Sequence, residues 1–462
     1  MIYYVGSERL IESDLYTQST LKECLDFLNN KCTSIALDTE TQGYFDHKNK
    51  IIMLQLSNGV DAFVIDVRVI DILPLKEVLE NKLCILQNAK FDYKFLKLHG
   101  IELKNIADTF LNECILTNGI ENRKLGLDAI AFKYCDVVLD KTVRNDFSKL
   151  IDKPFTDKQI IYGVSDVLCL HEIYEKQTIE LIKWNLLNVA QLEYETCLTL
   201  ADMEYTGMYI NTDKWKNLAS KAQNNTEKLS NEIDEMVFNN PKLSKFIKKY
   251  SQLDLFGKVE RVIDIKYSSP LQCLKMFKQL GLDIPSTNAK DLIKYQNSEP
   301  LVKKFLDYKE EEKLFTTYGY EFLNFINPHT NKIHTDFFQI LNTHRISSSK
   351  PNMQQIPADK DYLACFEAPK GFKIVGCDFS AQELRLITEL SQDPLWVKTF
   401  NEGGDIHSII ASKVFNIPED KVKDNFEYLY VGKVKVFLRG KPPRHIAKVI
   451  NFMLALIKKN YI

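Results

Sequence analysis

The chain has 462 residues, of which 45% are hydrophobic and 26% charged, and its formal net charge is −2. This composition is ordinary for a globular protein, and the length allows roughly two to four domains. No apolar run reaches the roughly 18 residues that a membrane span requires, and the first residues lack the apolar region of a signal peptide. We therefore expect an intracellular, cytoplasmic protein without membrane contact. The ten cysteines lack the spacing of a zinc site, which predicts reduced thiols.

Residues 1–178 alternate between strand-like and helix-like segments. TSIALDTET, IIMLQLS, DAFVID and LCILQN have the composition of strands. KFDYKFLKLHG predicts a helix that ends at Gly100, and a longer helix is predicted after Thr156, whose hydroxyl suits an N-cap. The alternation predicts an α/β domain with a mixed sheet.

The pattern changes after this domain to long helices with few strand signals. One helix is predicted to stop at Gly207, and a second is predicted to begin at Asn211 or Thr212. The lysine-rich sequence KLSKFIKKYSQLDLFGKVERV then predicts an exposed tip. Further on, FKIVGCDFS predicts a strand and AQELRLITELSQ predicts a helix. These changes predict three regions, which cover residues 1–178, 179–335 and 336–462.

Four acidic residues and one tyrosine stand out in the first region. Asp38 and Glu40 lie two apart on a predicted strand, so both carboxylates point from one face. Asp92 begins a predicted helix, and Tyr162 and Asp166 lie four residues apart on another. Taken singly, each has an ordinary explanation, such as an exposed strand edge or an acid that interacts with a helix dipole. Together they supply the oxygen ligands with which two Mg²⁺ ions, or Mn²⁺ as a substitute, act on a phosphodiester.

The order Asp-x-Glu, Asn-x-x-Phe-Asp and Tyr-x-x-x-Asp resembles the DEDD superfamily of 3′–5′ exonucleases in its tyrosine subclass. The resemblance spans roughly residues 33–175 and implies a ribonuclease-H-like fold. It implies that the four carboxylates bind metal and that the tyrosine positions the attacking water. It also implies that Asn88 lies beside the terminal nucleotides of a DNA 3′ end.

Further motifs follow after residue 340. Asp378 closes a predicted strand, and Glu383 and Arg385 enter the next helix. A carboxylate at the end of a strand can hold a metal ion, or it can act as the N-terminal acid of the helix. RISSSKPNMQQIP offers a cation, hydroxyls and amides for phosphate and sugar contacts, although ordinary loops share this composition. Arg444 and Lys448 lie four residues apart on a predicted helix, and two cations so placed suit a triphosphate.

The order of ADMEYTG, YKEEEKLFTTY, RISSSKPNMQQIP, DFSAQELR, DIH and RHIAKVINF resembles family A DNA polymerases. With the exonuclease block, the resemblance spans roughly residues 30–452. It implies an α/β ribonuclease-H-like exonuclease domain, a helical thumb, and a partial α+β palm and fingers. It also implies that Asp378 is the first palm carboxylate and binds both catalytic metal ions. Contacts with dNTP are implied for Glu383, His407, Arg444, Lys448 and Phe452. Contacts with single-stranded DNA 3′ ends or primer-template are implied for Asn88, Arg345, Asn352, Gln355 and Arg385.

Two departures from the family pattern are visible in the sequence. His344 stands where the family usually has glycine, which leaves the loop geometry there open. After Phe452 the resemblance stops, and MLALIKKNYI lacks the glycine, the tyrosine-glycine pair and the His-Asp-Glu segment of the family. We therefore expect that a split gene, an intron, a frameshift or an engineered truncation interrupts the chain within its fingers helix. On this interpretation the chain alone does not synthesise DNA, and a second chain carrying the rest of the palm is a candidate partner.

Three functions stay open on the sequence alone. The first is the N-terminal portion of a proofreading DNA polymerase that serves replication or repair. The second is a separate DEDD exonuclease that acts on RNA or single-stranded DNA, and the third is a DNA-binding subunit of a two-chain polymerase. The ordered motifs of the C-terminal half favour the first function, and the intact nuclease carboxylates disfavour a purely passive subunit.

Overall fold

The computed structural model describes residues 1–6, 14–142, 147, 150, 153–253, 259–343, 345–432 and 434–449. His344, Phe452 and the predicted change after Phe452 therefore lie outside the described residues. The chain divides into two compact units, Met1–Phe372 and Lys373–Ile462. In the described part of the chain, no helix combines the length and the apolar character needed to cross a bilayer.

A seven-stranded mixed sheet forms the core of the N-terminal region. Its strands are β1 (Ile2–Val5), β2 (Thr17–Gln18), β3 (Ser34–Thr41), β4 (Ile51–Ser57), β5 (Ala62–Asp66), β6 (Leu83–Leu86) and β7 (Ile106–Asp108). They lie in the order β2-β1-β5-β4-β3-β6-β7, and β4 runs antiparallel to both of its neighbours. Every residue of β4 is buried, as its continuous apolar run suggests. The predicted mixed sheet and its four predicted strands are confirmed.

The helices of this region connect the strands or follow the sheet. They are α1 (Leu21–Lys31), α2 (Lys76–Asn81), α3 (Ala89–Leu98), α4 (Thr109–Leu116), α5 (Leu127–Cys135), α6 (Asp157–Leu168), α7 (Leu170–Lys183) and α8 (Leu187–Thr206). Thr156 caps α6 as predicted, and its side chain and that of Gln159 each accept the other's backbone N–H. The single long helix predicted after Thr156 is two helices, because α6 ends before Cys169 and α7 begins after it.

The next region is mainly helical. Its elements are β8 (Met208–Tyr209), α9 (Thr212–Phe238), β9 (Ile247–Leu253), β10 (Val259–Ile263), α10 (Pro270–Gln279), α11 (Ala289–Leu292) and α12 (Pro300–Tyr318). Gly207 ends α8 with a positive φ of 64°, and the Asn211 side chain caps α9, both as predicted. The lysine-rich tip contains the antiparallel pair β9 and β10, which the sequence interpretation had not assigned as strands.

Short strands complete unit Met1–Phe372. They are β11 (Ile326–Asn327), β12 (Lys332–Ile333), β13 (Asp336–Phe338) and β14 (Ser347–Ser349), and the helix α13 (Lys360–Leu363) follows. Strands β11, β12 and β8 form one small sheet, and β13 pairs with β14. Single 3₁₀ segments lie at Leu73–Leu75, Pro241–Phe246, Ile293–Tyr295, Tyr320–Phe325 and Met353–Gln355.

The described residues of unit Lys373–Ile462 form three helices, a hairpin and a further helical segment. The elements are α14 (Gln382–Ser391), α15 (Pro394–Asn401), α16 (Ile406–Phe415), a 3₁₀ segment (Glu419–Lys421), β15 (Phe426–Val431), β16 (Val434–Lys441) and helical residues 443–449. The predicted helix after Asp378 is confirmed as α14. The β15–β16 hairpin was not predicted, although the alternating tyrosines in the sequence and Gly432 carry the signal of one.

The strand predicted from FKIVGCDFS is wrong. Residues 372–380 are all exposed and form no strand. Val375 is 82% and Phe379 is 77% exposed. A strand requires a neighbour that pairs with its N–H and C=O groups, and none of the described residues forms a ladder with this segment. Its apolar sequence is therefore insufficient to make it a strand.

Candidate active site

Three of the predicted carboxylates come together in the N-terminal region. Asp38 and Glu40 lie on β3, and Asp166 lies on α6. One oxygen from each of these three residues lies within 4.8 Å of the others. Carboxylate oxygens so grouped are hard ligands, which divalent cations such as Mg²⁺ prefer. The residues present therefore fit a divalent metal site.

Two features bring the three carboxylates together: the two-residue repeat of side-chain direction along β3, and the close packing of α6 on the sheet. Residues two apart on β3 share a face, and α6 packs against this face of β3 and of its neighbour β4. Gly163 lies between Tyr162 and Asp166 on α6, and a Cβ there would meet Gln55 Nε2 at 2.6 Å. The absence of a side chain at residue 163 thus allows the helix to approach the sheet this closely.

Tyr162 lies in the same environment as the three carboxylates. Its side chain is buried, and its ring lies 5.8 Å from the ring of Phe147. Burial raises the pKa of Tyr162 far above its ordinary value, and the nearby carboxylates of Asp166, Glu40 and Asp38 raise this pKa further. The phenol is therefore protonated at neutral pH, and it can donate a hydrogen bond within the acidic group.

Asp92 lies on α3 and is buried beside the same strand, but it is not one of the three grouped carboxylates. Its Oδ1 accepts hydrogen bonds from the backbone N–H of Thr39 at 3.0 Å and from the Thr39 hydroxyl at 2.6 Å. Burial raises the pKa of Asp92 to about 7, although the bonds from Thr39 oppose this rise. The structure thus places Asp92 against the residue between Asp38 and Glu40, and its predicted role as a metal ligand stays a prediction.

Asn88 is the N-cap residue that precedes α3, and its backbone is left-handed with a φ of 64°. Asp108, at the end of β7, accepts the backbone N–H of Asn88 at 2.9 Å and that of Ala89 at 2.8 Å. Burial raises the pKa of Asp108 to about 6, and the backbone donors oppose this rise. Asp108 was not predicted as a site residue. Its signal in the sequence is an acid at the junction of a strand and a helix, where it caps α4 as well.

A cleft with a volume of about 220 Å³ opens next to Tyr162 and Asp166. Apolar side chains of Leu15, Leu139 and Ile161 form part of its wall. The cleft therefore combines an apolar wall with the edge of the acidic group, a combination that suits a ligand with both a ring and a charged phosphate.

The residues predicted for the palm lie at the start of unit Lys373–Ile462. Asp378 is exposed, and Glu383 and Arg385 lie on α14 and are exposed as well. The Arg385 Nε donates to the backbone carbonyl of Ser380 at 2.9 Å, and its guanidinium lies 4.6 Å from the centre of the Phe400 ring. The structure leaves the predicted roles of these three residues as predictions.

The cations predicted for the fingers lie near His407. Arg444 and Lys448 belong to the helical segment 443–449, as expected, and the Arg444 Nε contacts the Asp405 carboxylate. Burial lowers the pKa of His407, the carboxylate of Asp405 opposes this change, and the charges of Arg444 and Lys448 add to it. Asp405 also caps α16 and accepts the Ser408 hydroxyl at 2.8 Å. Asp405, which the sequence interpretation had not selected, thus connects the start of α16 with the helical segment 443–449.

Arg345 and Asn352 lie on the loops that flank β14, and Gln355 ends the 3₁₀ segment Met353–Gln355, all in unit Met1–Phe372. Arg345 is exposed. The Asn352 side chain accepts the backbone N–H of Gln354 at 3.0 Å, and the backbone carbonyl of Gln355 accepts the Tyr318 hydroxyl. These contacts hold the loop in place, and the predicted DNA contacts of the three residues stay predictions.

Comparison with known proteins gives two matches that follow each other along the chain. A family model described as 3′-5′ exonuclease matches residues 14–182. A second model, described as DNA polymerase family A, matches residues 212–454, which is more than half of the chain. The chain belongs to DNA polymerase family A. The first match places a 3′–5′ exonuclease domain ahead of the polymerase region, as the resemblance of the motifs implied.

Similar curated proteins are DNA polymerases I. The chain is 25% identical to that of Borreliella burgdorferi over 97% of its own length and 47% of the relative's. It is 26% identical to that of Aquifex aeolicus, with 94% and 70% of the two chains covered. It is 38% identical to the thermostable DNA polymerase I of Thermus aquaticus over 30% of its length and 17% of the relative's. The chain thus spans less than half of the Borreliella enzyme.

The fold of this family A chain also has a counterpart among solved structures. The POL domain of Pol1 from M. smegmatis, in complex with DNA primer-template and dNTP, superposes with a TM-score of 0.71 at 20% identity. The match covers 94% of this chain and 70% of the other. This similarity supports the fold of both regions, an α/β exonuclease domain followed by a polymerase region of mixed helical and α/β content.

Proposed function

We propose that the exonuclease domain removes nucleotides from the 3′ end of single-stranded DNA by metal-dependent hydrolysis. The observation that carries this proposal is the group of three carboxylates from Asp38, Glu40 and Asp166, with a buried phenol beside it. The match of a 3′-5′ exonuclease model over the same residues supports the proposal. The match of the polymerase family after residue 212 disfavours a separate nuclease that acts on RNA.

The three grouped carboxylates would hold the divalent ions, with Asp92 as the proposed fourth ligand. When bound, such ions supply charge stabilisation at the reacting phosphate. Tyr162, protonated at neutral pH, would orient the attacking water by a hydrogen bond, since it lies one helical turn before Asp166. The cleft beside this turn would receive the terminal nucleotide, and Asn88 would contact the nucleotides at the DNA end.

We propose that the polymerase region binds primer-template and dNTP. The long helices α9 and α12 would act as a thumb whose lysine-rich tip contacts DNA phosphates. Asp378, Glu383 and Arg385 would belong to the palm, where Asp378 would bind catalytic metal ions. Arg345, Asn352 and Gln355 would contact the primer-template. Arg444 and Lys448 would neutralise the triphosphate of dNTP next to His407, and Phe452, which lies outside the described residues, is a further predicted contact with dNTP.

Removal of two metal ligands tests the nuclease proposal. The chain with Asp38→Ala and Glu40→Ala should lose more than about 1,000-fold in activity, because several kcal/mol of charge stabilisation are removed and each 1.4 kcal/mol is tenfold in rate. The measurement is the shortening of a 5′-labelled single-stranded oligonucleotide from its 3′ end with Mg²⁺ or Mn²⁺.

Asp26→Ala, an exposed acid on α1, is the matched control and should leave the rate unchanged. A wild-type chain that leaves the oligonucleotide intact with both metals would overturn the proposal. Full activity in the double variant would overturn it as well.

A further inference from the structure

A glutamine on the central strand of the sheet faces the carboxylate group. Gln55 lies on β4 directly opposite Asp38 of β3, and Met53 lies opposite Glu40. Directly opposed residues of antiparallel strands point to the same face, with Cβ atoms about 4.5–5.5 Å apart. The side chain of Gln55 therefore lies on the metal-binding face, within reach of the Asp38 carboxylate.

The amide of Gln55 is fully enclosed and unpaired. Gln55 is 0% exposed. Among the residues that the structure describes, neither its Oε1 nor its Nε2 has a hydrogen-bond partner. A buried amide without partners carries the full cost of its desolvation, whereas an apolar side chain of the same volume at this place would carry none. Packing alone therefore gives no reason for a glutamine on a strand whose other residues are mainly apolar.

The helix above Gln55 leaves room for this amide. A Cβ at Gly163 would lie 2.6 Å from Gln55 Nε2 and 3.0 Å from its Cγ. The same turn of α6 carries Tyr162 and is followed by Asp166. The amide thus lies between the strand that carries Asp38 and the helix that carries Asp166.

We propose that Gln55 is a positioning residue for the nuclease site, whose Nε2–H donates to the carboxylate of Asp38 when a divalent ion is bound. This inference rests on the proposed nuclease function. Carboxylates that bind metal ions are themselves held by hydrogen bonds, and loss of such a bond typically weakens metal affinity by about 10- to 100-fold. The donor fixes the carboxylate in the orientation that the ion requires, and the carboxylate in turn gives the amide a partner.

The variant Gln55→Met tests the proposal, because it keeps nearly the same volume and removes the N–H donor. Met53→Leu is the matched control, since it lies on the same face opposite Glu40 and changes only an apolar side chain. Mn²⁺ affinity is measured by electron paramagnetic resonance of the free ion, without DNA, on the full chain. Thermal unfolding in EDTA is measured in parallel, and Gln55→Leu serves as a second apolar replacement.

We expect both replacements of Gln55 to unfold in EDTA at the wild-type temperature or above it, because no protein hydrogen bond is lost. We expect their Mn²⁺ affinity to fall about 10- to 100-fold, while Met53→Leu binds as the wild type does. Wild-type affinity in both Gln55 variants would overturn the proposal and leave the amide as a mere packing defect. A wild-type chain that binds no Mn²⁺ would instead overturn the proposed nuclease function itself. The proposed role of Gln55 would then fall as well, because it rests on that function.

Discussion

Gly163 lies where α6 packs on β4, and the change Gly163→Ala tests whether this packing holds the carboxylates together. The added methyl group would meet the Nε2 of Gln55 at 2.6 Å and the Sδ of Met53 at 3.0 Å. Both distances are too short for carbon contacts. Neither side chain can swing into solvent, because Gln55 and Met53 are both 0% exposed. We therefore expect the helix to move away from the sheet.

Two effects of opposite sign act on the stability of this variant. Alanine is a better helix former than glycine, which stabilises the folded state by roughly 0.5–1 kcal/mol. Overpacking of a close-packed core costs typically about 1–3 kcal/mol. Because the contacts are with fully buried atoms, we expect the second effect to prevail and the free energy of unfolding to fall by about 1–2 kcal/mol. Exonuclease activity should fall by about 10- to 100-fold, since a shift of α6 moves Asp166 relative to Asp38.

Urea unfolding in EDTA and degradation of a 5′-labelled oligonucleotide measure the two expectations. Ser165→Ala on the same helix is the control for stability, and should change it by less than about 0.5 kcal/mol. In the double variant with Gln55→Ala the cost of the methyl group should shrink, because the Gln55 atoms that it meets are gone and only the contact with Met53 Sδ remains. A Gly163→Ala chain that is more stable than the wild type and equally active would refute the packing argument.

Two further predictions concern the contacts that join the exonuclease domain to the following region. Glu204 is buried, and its carboxylate pairs with the ammonium groups of Lys90 and Lys94 at 2.5 Å each. The change Glu204→Gln should therefore lower the free energy of unfolding, measured in urea, by about 3–5 kcal/mol. A loss below about 1 kcal/mol, as for an exposed ion pair, would contradict this. The rings of His47 and His334 lie 4.5 Å apart, and burial lowers the pKa of both side chains. Below about pH 6.5 the unfolded chain therefore binds more protons than the folded chain. The free energy of unfolding should therefore fall as the pH drops from 7 to 5.5, and less so in a chain with both histidines changed to Gln; an equal slope in the two chains would contradict the assignment.

The sequence was sufficient wherever a local pattern determines the structure. Strand β3 follows from its apolar composition, and the spacing of Asp38 and Glu40 fixes their common face. The caps at Thr156 and Asn211 satisfy N–H groups within three residues, so they too could be predicted. The spacing of Tyr162 and Asp166 likewise required only a helix.

The rest depended on partners that are distant in the chain. Residues 372–380 have the apolar composition of a strand, but no described strand pairs with them, and they remain exposed. Gln55 looked like an ordinary strand residue until the register of β3 and β4 placed it opposite Asp38. Glu204 is separated from Lys90 and Lys94 by more than 100 residues, and no periodicity could reveal that pairing.

The position of Asp92 shows why this site needs more than its ligands. Strand β3 pairs with β6 only from Ser34 to Ala36, so beyond that point its backbone has no neighbour on that side among the strands that the structure describes. The Asp92 carboxylate accepts the Thr39 N–H there, and in this way substitutes for the missing strand. Because Thr39 lies between Asp38 and Glu40, helix α3 holds in place the part of β3 that presents both carboxylates. The carboxylate of Asp92 thus fixes the geometry of the site whether or not it also binds metal, and this explains how the end of a strand can present two acids in a fixed arrangement.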